Sequence, residues 1–106
     1  GNMKLEIGDK TYEFEFTINS VCDLEERTGK GFAELMSIEG LTSLRALIWC
    51  GLITHQKTLT MAQAGDLVQE YLKNNTIEDL TKMIGDAFEQ AGFIQAAAQK
   101  RTRSKK

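Results

Sequence analysis

A chain of 106 residues with 42% hydrophobic and 26% charged residues has the make-up of one ordinary globular domain. At that length it buries roughly 65% of its unfolded surface and needs no metal or disulfide staples. Net charge is −2, yet Lys100 to Lys106 holds five of the 13 basic residues; the eight that remain face 15 acidic ones, so the body stands at about −7. An acidic body argues against general nucleic-acid binding outside that tail.

Gly1-Asn2 ahead of Met3 reads as a cloning remnant. Met3 to Ile7 and Thr11 to Phe16 then alternate. In the second run Tyr12, Phe14 and Phe16 point one way, and Thr11, Glu13 and Glu15 the other. Gly8-Asp9 supplies the residue tolerant of positive φ that a tight hairpin needs. A two-stranded hairpin is marginal alone in water, so its aromatic face must lie on helices or pair with strands of another copy. The opening alternation, unlike the apolar run of a secretory segment, gives no expectation of one.

Ser20, with Asp23 three residues on, is expected to cap the first helix, which Gly29 and Gly31 stop. Phe32, Leu35, Met36 and Ile38 suggest a short helix ending near Gly40. Thr42 or Ser43 then caps the most apolar run of the chain, Leu44 to Ile53, in which Arg45 is the sole charge and Trp49 the only tryptophan. A helix apolar nearly all round is buried on several sides. This one is about half the roughly 20 residues a membrane span needs, so it is read as a central core helix.

His55 to Thr58 is a polar loop. Thr60 with Gln63 and Thr76 with Asp79 form capping-box patterns that open the last two helices, separated by Asn74-Asn75. In the last helix Ile77, Leu80, Ile84, Ala87, Ala91, Ile94 and Ala98 alternate three- and four-residue steps, the spacing of a coiled-coil seam. The seam is expected to pack on the central helix; the alternative is that its second half, past Ala91, reaches beyond the domain and meets another chain. The fold class expected is mainly α with a small N-terminal β-hairpin (α+β): hairpin 3–7/11–16, then about five helices around the apolar helix 43–54. One domain spans 3–99 and a basic, disordered tail 100–106.

The residues of catalysis are not arranged for it. His55 has no cluster of Cys or carboxylates at ligand spacing and is read as a solvent-exposed bystander. Gly29-Lys30-Gly31 lacks the preceding strand and the longer glycine spacing of a phosphate loop. Glu25 and Glu26 point roughly 100° apart on a helix and cannot form a dyad; with Arg27 they are read as a solvated face. Cys22 and Cys50 are read as small buried hydrophobes of a reducing compartment. No catalytic, cofactor-binding or metal residue is assigned. The tail has no aromatic residue to stack on bases, so any nucleic-acid contact it made would be sequence-blind and salt-dependent.

Two stretches carry a family resemblance. Ile18 to Phe32, with its Leu24-Glu25-Glu26-Arg27-Thr28-Gly29 helix end, and Leu44–Ile53 followed by Leu59-Thr60-Met61-Ala62-Gln63-Ala64-Gly65-Asp66-Leu67-Val68, resemble the tail assembly chaperones of long-tailed bacteriophages and gene transfer agents. Met61-Ala62 departs from the acidic pair more usual there, and the likeness covers residues 3 to 75. The resemblance implies a non-enzymatic factor of the host bacterial cytoplasm, absent from the mature virion. Such a factor binds the tape measure protein and assists polymerisation of tail tube protein, with no small-molecule substrate and no membrane; a homo-oligomer, a ring or spiral joined through the hairpin edge or the last helix, is a further expectation. Partner-binding candidates are Ala91, Phe93, Ile94, Ala98, Lys100, Arg101 and Arg103. The alternatives are a small adaptor or regulator of a mobile element using its tail on nucleic acid, and a head–tail connector or tube component of the virion.

Overall fold

The computed structural model describes residues 3–92, which form a two-stranded antiparallel hairpin followed by five helices. Strands β1 (Met3–Ile7) and β2 (Lys10–Phe14) pair in the register Met3↔Phe14, Leu5↔Tyr12 and Ile7↔Lys10. Gly8 takes the positive φ of the turn, +63°. The second strand stops at Phe14, two residues short of the expected end, because Glu15 turns its backbone to a helix instead of to β1. The Glu15 N–H donates to the Gly51 carbonyl (2.9 Å), and the Glu15 carbonyl accepts from Thr54 Oγ1 (2.9 Å). Phe16 is buried as its alternation requires, though it lies beyond the ladder.

Helix α1 (Ile18–Thr28) is capped one turn earlier than the sequence pattern suggests. Thr17 is the N-cap, its hydroxyl accepting from the Ser20 N–H (3.0 Å) while Ser20 Oγ accepts from the Thr17 N–H (3.0 Å). Ser20 is thus the reciprocal partner of the box and not its first member. Gly29 ends α1 with φ +71°, as expected. Helix α2 (Phe32–Ser37) begins after Gly31, which has no side chain to cap with; Glu25 supplies the cap from α1, its Oε2 accepting from the Phe32 N–H at 2.7 Å.

Helix α3 (Leu41–Ile53) is the expected core: Ser43, Leu44 and every residue from Ala46 to Ile53 are buried, leaving Arg45 exposed. Neither Thr42 nor Ser43 caps it. The N-cap is Gly40, at φ 136°, and the Ser43 hydroxyl donates backwards to the Ile38 and Gly40 carbonyls (2.9 and 3.2 Å). Phe14 lies flat on Gly51, so closely that a Cβ there would fall on its ring. Trp49 donates from Nε1 to the Leu59 carbonyl (2.9 Å) and receives the Arg27 guanidinium on its face, 4.8 Å from the ring centroid.

Helices α4 (Met61–Tyr71) and α5 (Ile77–Ala91) open on the capping boxes expected at Thr60–Gln63 and Thr76–Asp79. In α5, Leu80, Ile84 and Ala87 are buried and Ala91 is half-buried against the core, so this half of the seam packs within the chain except at its first member, Ile77, which is exposed. A run of edge-on and tilted rings, Phe14, Phe16, Phe32 and Phe88, spaced 5.2–5.3 Å, joins hairpin, α2 and α5. The hairpin's aromatic face therefore lies on helices of its own chain.

Candidate protein-interaction site

Several residues assigned to solvent have structural work. The half-buried Glu25 carboxylate caps α2, whereas Glu26 and Arg27 are exposed as a solvated face requires, Arg27 also laying its guanidinium on Trp49. His55 is no bystander: its ring lies 3.0 Å from Glu15 Oε1 and 3.7 Å from Glu13 Oε2, an ion pair when the imidazole is protonated that ties the α3–α4 loop to β2. Cys22 is exposed on the outer side of α1, contrary to the buried assignment. Cys50 is fully buried, and its thiol donates to the Ser20 carbonyl (3.3 Å). Both thiols are free. Burial pushes the Cys50 thiol up from 9.0 to about 12, with Asp23 and Glu25 adding to the rise and the Ser20 hydrogen bond opposing it.

Among the described residues no cluster of His, Cys, Asp and Glu is placed to hold a metal, and no helix is long and apolar enough to cross a membrane. The surface feature that stands out is apolar. Four large hydrophobic side chains are exposed among the described residues, and three of them, Ile38 (38%), Leu41 (65%) and Ile77 (47%), line one groove; Ile18 stands apart on α1. This groove, about 830 Å³, is floored by Leu44, Leu47 and Ile84 and runs between the α2–α3 connection, α3 and the first turns of α5. Lys82 on its wall pairs with Asp86 (2.9 Å), a hydrogen bond that holds its ammonium above the ordinary lysine value.

A second groove of about 440 Å³ lies between α3 and α4, walled by Leu41, Arg45, Gly65, Val68 and Leu72. Leu41 lines both grooves and forms the ridge between them. Opening α3 at residue 43 hides this ridge in the sequence, because Leu41 then falls in a loop. Its spacing from Leu44, Arg45 and Ile48 was the signal that the helix begins earlier.

Of the sequence candidates for partner binding, Ala91 is half-buried beside Phe14 and Phe16, at the opposite end of α5 from the grooves. Phe93, Ile94, Ala98, Lys100, Arg101 and Arg103 lie outside the described residues, as do Gly1-Asn2 and the basic tail. No family model matches the chain, and neither the curated proteins nor the solved structures compared with it give a match.

Proposed function

We propose that the protein is a non-enzymatic assembly factor of the tail assembly chaperone kind, which docks helical segments of a tape measure protein on the surface around Leu41. The observation that carries this reading is the gathering of Ile38, Leu41 and Ile77 on one groove above an otherwise well-buried core. Exposed apolar side chains scattered singly are ordinary, whereas a contiguous group at the mouth of a groove suits the apolar face of an amphipathic helix. The sequence likeness over residues 3 to 75 supports a tape measure helix as the occupant. Several copies spaced along one long rod would add their weak contacts by avidity.

Co-expression with a tape measure protein of a long-tailed phage, followed by pull-down at low salt, tests the proposal. Co-purification that is lost in Leu41→Asp and Ile77→Asp, both changes at exposed positions, is the expected result. No co-purification of the wild-type chain would count against it. Light scattering that finds only monomer at high concentration would remove the self-assembly, and mass spectrometry finding the chain in finished particles would favour a virion component instead.

A further inference from the structure

Arg45 is the one charged residue of α3, and its position is built rather than incidental. It stands one helical turn from Leu41, so the two share a face. Its aliphatic stem runs across α4 at Gly65, where a Cβ would come within 3.1 Å of Arg45 Cδ. Gly65 is interior to α4, a place where glycine weakens a helix relative to alanine. The missing methyl leaves the channel along which the stem reaches the groove. Among the described residues the guanidinium has no hydrogen-bonding or ion-pair partner, whereas Lys73 on the same groove already takes Glu70 at 3.0 Å. The walls on either side, Leu41, Val68 and Leu72, are apolar.

We infer that the α3–α4 groove reads a carboxylate: its occupant is an amphipathic helix carrying Asp or Glu among its apolar residues, and that acid pairs with Arg45. Charge complementarity selects this occupant. The body of the protein is acidic, so an acid-bearing helix is repelled from most of the surface and finds its cation where apolar walls also receive its neighbours. A guanidinium presents a planar fork of donors that fits a carboxylate in two parallel hydrogen bonds. The inference rests on the reading of the Leu41 surface as a helix-docking site and adds the chemistry of what docks.

The test uses three labelled amphipathic peptides of one length and one Leu/Ala face, differing only in a single Glu, Gln or Lys at the centre of that face. Binding to the full chain is followed by fluorescence anisotropy at low and high salt. The Glu peptide is expected to bind about tenfold more tightly than the Gln peptide, and the Lys peptide more weakly than either. That preference shrinks with salt, disappears in Arg45→Gln, and is reduced in Gly65→Ala, which displaces the stem without removing the charge. Equal binding of the Glu and Gln peptides overturns the carboxylate assignment and leaves helix docking standing. Failure of all three peptides to bind overturns both.

Discussion

Replacing Gly51 with alanine sets two physical effects against each other. In a helix interior the change is normally favourable by about 1 kcal/mol, since alanine has less backbone freedom to lose. Here the new Cβ falls on the ring of Phe14, which is 1% exposed and cannot swing away because Phe16 sits edge-on to it at 5.3 Å and Phe32 backs Phe16 at 5.2 Å. Overpacking of this kind costs about 1–3 kcal/mol. Moving β2 off α3 also stretches the Glu15-to-Gly51 backbone hydrogen bond, another 1 kcal/mol or so. The balance is a net loss of about 2 kcal/mol, which for a domain of this size lowers Tm by roughly 8–16 °C. Gly85→Ala provides the contrast: it is interior to α5, nothing lies within 4 Å of its Cβ position, and it should raise stability by about 0.5–1 kcal/mol. Thermal and urea unfolding followed by far-UV circular dichroism would measure both. If Gly51→Ala is as stable as the wild type, or both variants shift the same way, the packing argument fails.

Trp49→Ala removes a buried indole and strands the Leu59 carbonyl, and is expected to cost about 3–5 kcal/mol in urea unfolding; Trp49→Phe, which keeps most of the volume, should cost far less. Glu25→Ala leaves the Phe32 N–H without its cap and should cost about 1 kcal/mol by the same measurement, although α1 itself keeps its Thr17–Ser20 box. Native protein should show one rapidly titrating thiol, Cys22, and two after denaturation. The folded Cys50 thiol ionises only near pH 12, against 9.0 when unfolded, so the unfolded chain loses its proton first. Its contribution to stability is complete below pH 9 and falls by about 1.4 kcal/mol per pH unit above it. Cys50→Ala should be less steeply destabilised by alkali than wild type in parallel melts.

What the sequence disclosed is what short-range rules encode. The capping boxes at Thr60 and Thr76 are complete within four residues, and the burial of α3 follows from ten nearly uninterrupted apolar positions. The box at Thr17 was misplaced because Ser20 and Asp23 offer the same pattern one turn later, and local chemistry does not choose between them. Contacts across the chain left no such trace. Thr54 to Glu15 joins residues 39 apart, and His55 to Glu15 residues 40 apart. The grooves depend on which faces of α3, α4 and α5 remain open after packing, so exposed Leu41 and Ile77 resemble core residues until the helices are placed.

Helix α3 is held very unequally along its length. Near its C-terminal end the carbonyls of Gly51 and Leu52 are taken by Glu15, His55 and Gln56, and Phe14 lies on the backbone. At the other end it starts from Gly40 with no side-chain cap, its first residue exposed. Burial nonetheless begins within the first turn, at Ser43 and Leu44, and the Ser43 hydroxyl ties back to the Ile38 and Gly40 carbonyls, so only Leu41 and Thr42 stand clear of the core at this end. A ligand gripping Leu41 would load this end, so hydrogen exchange should slow first at residues 41–44 and stay unchanged near Gly51 and Leu52. The core helix would then act as a stiff arm that presents its own exposed end to the partner.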